Sequence, residues 1–144
     1  MKLIAAHAHS TGSTALNSLE IANTDDPRTV SLEGVTRIDL NFPKFTDGRA
    51  LSQAFLLRRR LGFTGEIRAT GDVLIDQLVQ MERTGFDVAV LREDQNLEFA
   101  QAQFDRYLGF YQGDAVTVNP AFARSAPAHA REDVAALGHQ GATL

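Results

Sequence analysis

Three short apolar runs alternate with longer amphipathic stretches between residues 37 and 111. Arg37–Phe42 alternates polar and apolar residues, and this period of two is typical of a β-strand. Glu66–Thr70 and Phe86–Leu91 predict two more strands, and the successive apolar residues of the latter indicate burial on both faces. Strands that alternate with helices at this spacing favour parallel pairing through right-handed crossovers.

Each of these strands is followed by apolar residues at helical spacing, which predicts three helices. The predicted helices cover residues 49–61, 72–84 and 96–111. Polar residues that can cap a helix stand where each helix begins: Thr46 or Asp47, Asp72, and Asp94 or Asn96. Gly62 and Gly85 follow the first two stretches and are the expected terminators.

The two ends of the chain give weaker patterns. Lys2–Ala6 and residues 15–23 each predict a short strand, and Ala115–Val118 predicts an edge strand. One short helix is predicted over Arg131–Leu137.

We therefore predict an α/β domain over residues 15–118, with three to four mostly parallel strands alternating with three helices. The sheet is expected to be open or part of a barrel. Residues 1–14 are predicted to be an irregular N-terminal segment, and residues 119–144 a flexible or late-docking tail.

The bulk composition is that of a globular domain with few options for metal or redox chemistry. A length of 144 residues suits one domain, and the net charge of −4 argues against nucleic acid as the main partner. The absence of cysteine excludes disulfides, thiolate-bound zinc, cysteine-ligated iron–sulfur clusters and thiol catalysis within this sequence. No apolar run approaches the length of a membrane helix, and the opening run is too short for a signal peptide, so we expect a cytoplasmic protein.

The loop from Lys44 to Arg49 is the first candidate site. It places two cations, Asp47 and Gly48 directly before a helix, where unpaired amides and the helix dipole favour an anion. Asp47 and Gly48 are equally suited to a simple cap and turn, and Arg49 to an ion pair with a nearby carboxylate.

Carboxylates at the next junction extend this candidate site. If the two strands are neighbours, Asp72, Asp76 and Gln77 stand close to the Lys44–Arg49 loop. Carboxylates facing cations suit acid–base chemistry or a structural ion-pair network, and the spacing leaves both open. Arg68 lies within a strand, where its alternation with Ile67 favours solvent over a buried carboxylate.

The remaining polar clusters give weaker evidence for a functional site. Residues 92–94 are most simply a solvated strand end. His7 and His9 share a face of a predicted strand, as in the metal pair of amidohydrolase barrels, but the other histidines lie in the tail and the chain is too short for that barrel. Without a nucleotide-binding fingerprint either, we expect no cofactor and no metal.

Several motifs resemble those of a bacterial family of uncharacterised proteins. They are the loop 42–49, the stretch 52–63, the segment Gly65–Leu74 with residues 76–78, and Gly85–Asp87. The similarity spans residues 15–112 and is densest over residues 42–94. The family carries the label of an oxidoreductase of sulfite reduction, so the resemblance implies a role in sulfur assimilation. The resemblance also implies that a site is formed by these residues: Lys44, Asp47, Arg49, Arg68, Asp72, Asp76 and Gln77.

The resemblance and the residues together predict an accessory or regulatory protein of assimilatory sulfite reduction. It is expected to bind a sulfur oxyanion or the reductase at the carboxyl edge of its sheet. An accessory role is favoured over that of the reductase itself, because a cysteine-free chain cannot hold an ordinary iron–sulfur cluster. One alternative is a small enzyme with Asp72 or Asp76 as general base, and another is an interaction module without a small-molecule site.

The expected partners follow from these alternatives. They are sulfite reductase or another sulfur-assimilation enzyme, a small anion, and a second copy of the chain in a homodimer. No nucleic acid and no membrane is expected among them.

Overall fold

The fold is an open α/β sheet, as predicted, seen in a computed structural model of the chain. The structure describes residues 1–9, 17–106, 109–120 and 123. Its strands are β1 (Lys2–Ala5), β2 (Ser18–Ile21), β3 (Arg37–Phe42), β4 (Glu66–Gly71) and β5 (Val88–Leu91). Its α-helices are α1 (Arg49–Arg59), α2 (Leu78–Thr84) and α3 (Leu97–Asp105).

The five strands are all parallel and lie in the order β1-β5-β4-β3-β2. From β2 to β5 the chain adds one strand after another in the same direction. The two weak strand predictions near the N-terminus both join the sheet, one at each edge, and raise the strand count to five. The segment predicted as irregular, residues 1–14, therefore contains β1, while residues 10–14 lie outside the described part of the chain.

One face of the sheet carries the core. Inward residues such as Ile38, Leu40 and Ile67 are fully buried against α1, α2 and α3. Leu57 of α1 and Met81 of α2 join the same cluster. Since each fully buried aliphatic side chain contributes about 1.5–3 kcal/mol, this face supplies most of the hydrophobic stabilisation.

The opposite face carries charged side chains of β3 and β4, and we call it the helix-free face because the α-helices of the described residues pack on the other side. Arg37 stands beside Glu66 in register, and Asp39 stands beside Arg68. Along the strands, Arg37 forms a bidentate pair with Asp39 (2.7 and 2.6 Å), and Arg68 pairs with Glu66 (2.9 and 2.6 Å). Opposite charges therefore alternate both along and across the two strands, which favours this register.

Two predicted elements differ from the structure. The helix predicted from Asp72 begins only at Leu78, because Gly71 has a φ of 90° and the chain turns there before entering a short 3-10 turn at Ile75–Gln77. The edge strand predicted over Ala115–Val118 is wrong. Its backbone instead folds over the Asp114 side chain, which accepts the N–H groups of Val116 and Thr117.

The first helix ends two residues before its predicted end, at Arg59, whereas the third helix, predicted over residues 96–111, already ends at Asp105. The first helix starts as predicted at Arg49, and its N-cap is Gly48 rather than Thr46 or Asp47. Asn96 caps α3 through its side-chain oxygen, which accepts two backbone N–H groups. The helix predicted over Arg131–Leu137 lies outside the described residues. Within the described ranges, no helix has the length and apolarity needed to span a bilayer.

Substitution of Gly71 tests the turn that the structure forms where the sequence predicts a helix cap at Asp72. A Cβ at this position would lie 2.4 Å from the Phe42 carbonyl oxygen in a left-handed backbone conformation. Gly34 is a matched control, because its φ of 72° is similar and a Cβ there meets nothing within 4 Å. In urea unfolding, Gly34→Ala should cost about 1–2 kcal/mol from backbone strain alone. Gly71→Ala should cost about 1–3 kcal/mol more because it also overpacks; equal costs would contradict this account.

Candidate functional site

The loop after β3 is held in place through the backbone of Phe45. The Phe45 N–H donates to Asp72 Oδ2 at 2.8 Å, and the Gln77 side-chain amide donates to the Phe45 carbonyl oxygen. Two residues that follow β4 thus fix both backbone polar groups of one residue in the loop. The Phe45 ring itself is left 46% exposed at the carboxyl edge of the sheet.

Asp72 continues this network toward β5 through Arg92. Arg92 Nη1 donates to Asp72 Oδ1 at 2.6 Å, and its Nε and Nη2 donate to the Asp94 carboxylate at 2.6 and 2.7 Å. Asp72 is therefore a bridge between two loops and not the helix cap that the sequence predicts. The sequence analysis predicts only a solvated strand end at Arg92, yet this side chain connects the loop after β4 with the loop after β5.

The Arg92 guanidinium sets the protonation of both carboxyl groups. Its hydrogen bonds lower the pKa of Asp72, with a smaller contribution from the Phe45 N–H, and they lower the pKa of Asp94 to about 2. A general base that works near neutral pH needs a raised carboxyl pKa. The environment of Asp72 shifts its pKa in the opposite direction.

Arg49 and Asp47 form a second ion pair on the β2 side of the edge. Arg49 donates to both oxygens of Asp47, at 3.0 Å from Nε and 2.7 Å from Nη2. The Asn23 side chain, which follows β2, donates to Asp47 Oδ2 at 2.7 Å. The hydrogen bonds from Arg49 lower the pKa of Asp47 to about 2. This pair links the end of β2 to the beginning of α1.

Lys44 and Asp76 differ from these paired residues. Both side chains are exposed, and within the described part of the chain neither makes a hydrogen bond or an ion pair. Lys44 is thus an uncompensated cation beside Phe45. Asp76 lies in the turn before α2 without touching the Lys44–Arg49 loop.

Arg68 lies away from this edge, and the prediction that it points to solvent is wrong. Its side chain is only 13% exposed on the helix-free face. It pairs with Glu66, and Arg68 Nη1 lies 3.2 Å from His9 Nδ1. The chain that leaves β1 passes over this face, so an alternating strand position is covered there rather than solvated.

Metal-binding geometry is not seen among the described residues, where no three side chains of the His, Asp or Glu type come together. His7 is exposed, while His9 contacts Arg68, so the two histidines do not act as a pair. Burial lowers the pKa of His9, with Arg68 adding to the effect against the opposing charge of Asp39.

A cavity of about 520 Å³ lies at the opposite end of the sheet, near the amino ends of β1 and β5. Four of its charged groups form two ion pairs: Arg83 pairs with Asp114 at 3.1 Å, and the Met1 amino group pairs with Glu82 at 2.6 Å. The Arg83 guanidinium also lies 4.0 Å from the centroid of the Phe110 ring. The contacts of Arg83 hold the segment 109–119 against α2, and we assign the cavity to the packing of this segment.

The fold and this edge define the class: an α/β domain with an open parallel sheet, whose polar side chains converge where the strands end. The model of the family described as bacterial protein of unknown function (DUF934) matches residues 18–122, and the chain belongs to this family. No significant match was found among curated proteins or among solved structures.

Removing the Asp72 carboxylate should release the loop. We expect Asp72→Ala to accelerate amide hydrogen exchange at Phe45, because its N–H loses the acceptor at 2.8 Å. Asp76→Ala is the matched control, since this exposed carboxylate makes no hydrogen bond or ion pair with the loop or with Arg92 among the described residues. Unchanged exchange at Phe45 in Asp72→Ala would show that the loop does not depend on this bond.

The ion pair at Asp47 should be visible on acidification. A carboxylate whose pKa falls from 3.8 to about 2 on folding stabilises the native state above pH 4, and this contribution is lost between about pH 4 and 2. We expect the Asp47 carboxyl carbon to titrate near pH 2 in an NMR experiment, and in Arg49→Ala to titrate closer to 3.8. An identical titration in both proteins would rule out the pair in solution.

Proposed function

We propose that the protein is an accessory or regulatory protein of assimilatory sulfite reduction that binds through the carboxyl edge of its sheet. One observation carries the binding role: Asp72 and Gln77 fix the loop 43–48, which presents Lys44, without a partner among the described residues, beside half-exposed Phe45. The resemblance of the same loop to a family labelled with sulfite reduction supplies the pathway.

A protein surface suits this loop better than a free oxyanion does. Arg49 already donates to both oxygens of Asp47, which leaves Lys44 as the cation without a partner. A single exposed ammonium group gains little from a hydrated anion, because surface ion pairs contribute about 0–1 kcal/mol. Aromatic residues, including phenylalanine, are enriched at protein–protein interfaces. We therefore place sulfite reductase first and a sulfur oxyanion second among the ligands.

The enzyme alternative receives no support from the carboxylates. Asp72 is held ionised by Arg92 and by the Phe45 N–H, and its lowered pKa is the reverse of what a general base requires. Asp76 is exposed and stands outside the network. A plain interaction module without a small-molecule site remains the alternative, and the experiments below distinguish it from the proposed function.

Binding to purified sulfite reductase is the direct test. We expect Phe45→Ala to weaken the complex at least about tenfold in a titration calorimetry experiment, as for a central aromatic anchor. Lys44→Ala should weaken it less and reduce its dependence on salt, since a rim charge acts mainly by long-range attraction. Phe55→Ala is the matched control, because this ring is similarly exposed at 44% but lies on α1.

A thermal-shift titration with sulfite, sulfate, phosphate and adenylylated sulfate tests whether an oxyanion is the ligand. Stabilisation grows with the logarithm of ligand concentration over Kd, so millimolar binding is detectable. A shift lost in Lys44→Ala/Arg49→Ala and kept in the charge-matched Arg59→Ala/Arg60→Ala would identify the oxyanion as the ligand. If neither the reductase nor any oxyanion binds, the proposed function is wrong and the loop belongs to a plain interaction module.

A further inference from the structure

The strands β1 and β5 are neighbours in the sheet. After β1 the chain turns to one face of the sheet, and after β5 it turns to the other. After β5 it enters α3, whose Ala100 is buried in the core on the helix-covered face. After β1 it reaches His9, which contacts Arg68 on the helix-free face. Such a divergence opens a crevice outside the carboxyl ends of the two strands, and open α/β sheets bind ligands in crevices of this kind.

A cavity of about 350 Å³ occupies this crevice. Its size is within the range of small-molecule sites. Its wall is formed by the end of β1 and by the segment from β5 to the start of α3, with apolar contributions from Ala5, Ala6, Leu91 and Leu97. The topology and the cavity thus point independently to the same place.

Four polar side chains line the cavity, and two of them already have partners. Arg92 is held by Asp72 and Asp94. Gln95 accepts the Ile75 N–H through its side-chain oxygen at 3.2 Å. The other two, Glu93 and His7, are exposed and make no hydrogen bond or ion pair among the described residues.

The local charge at the crevice selects the kind of ligand. Two carboxylates, those of Asp72 and Asp94, contact the guanidinium of Arg92, and a third, that of Glu93, lines the cavity beside it. Two of them neutralise and share Arg92, which leaves Glu93 as the group that faces an incoming molecule. An anion is repelled by this arrangement, whereas a protonated amine gains a partner.

We propose that the crevice between β1 and β5 binds a small organic amine. The apolar part of the amine packs against Leu91 and Leu97, and its ammonium group donates to the Glu93 carboxylate. His7 provides a second hydrogen-bonding group at the rim. This site is separate from the Lys44–Arg49 loop, so it stands or falls independently of the function proposed above.

Backbone-amide NMR titrations with three probes of equal length test the site. The probes are n-butylamine, 1-butanol and butyrate at pH 7. We expect shifts at the amides of Ala6, His7, Leu91 and Glu93, with the amine binding tightest and butyrate weakest. Glu93→Gln should weaken butylamine about 2–5-fold, the range of an exposed ion pair, and leave butanol unchanged. Glu98→Gln is the control, because this exposed carboxylate of α3 does not line the cavity.

Filling the cavity provides a second test that does not depend on charge. Ala6→Leu should abolish binding of butylamine and butanol together, and Leu97→Trp should do the same from the exposed rim if the first variant fails to fold. The proposal is overturned if the shifts map to the 520 Å³ cavity or to the Lys44–Arg49 loop. It is equally overturned if butyrate binds as well as butylamine, or if Glu93→Gln or the filled variant binds butylamine like the parent protein.

Discussion

Burial of one face of the parallel sheet is the constraint on which the rest of the structure depends. All three helices pack against inward residues such as Leu40 and Ile67, and from β2 to β5 every crossover returns the chain to the same face. Right-handed crossovers in one direction can only produce this arrangement. As a result, the loops that follow β3, β4 and β5 meet in a row at one edge, and their charged residues must be accommodated next to one another.

The chain meets this requirement with short-range ion pairs. Among the described residues, five arginines each bind a carboxylate two positions away: Asp26 with Arg28, Arg37 with Asp39, Asp47 with Arg49, Glu66 with Arg68, and Arg92 with Asp94. In a strand, this spacing places both side chains on one face. In the loops, it lets an arginine close a turn on itself, and only Arg92 extends further to a carboxylate from another junction.

Local patterns predicted the elements well because they depend on residues close in sequence. The alternation of Arg37–Phe42 marks β3, and the apolar stripe after Arg49 marks α1 almost to its ends. The errors arise where a tertiary contact overrides a local preference. Asp72 has the local signature of a cap, but its carboxylate is taken by the Phe45 N–H and by Arg92. Neither partner can be read from the spacing around Asp72.

Arg68 and Arg92 show what kind of signal was missed. The prediction for Arg68 assumed that the face opposite the core meets water, whereas the β1-to-β2 connection starts across that face at His9. The register that sets Arg37 beside Glu66 and Asp39 beside Arg68 was unknown before the strand order. The recurring spacing of arginine and acid two positions apart was present in the sequence throughout, and it is the pattern that identifies both residues as paired.

Pairing also supports the proposed binding role of the carboxyl edge over acid–base chemistry. Asp47, Asp72 and Asp94 each accept from a guanidinium, so each is stabilised in its ionised form. Such groups give a rigid surface of fixed charge rather than a carboxyl group poised to exchange protons near neutral pH. Among the described residues, the charged side chains of this edge that stay outside the pairs include Lys44 after β3, Asp76 before α2 and Glu93 after β5, so the unpaired charge is positive near β3 and negative towards β5.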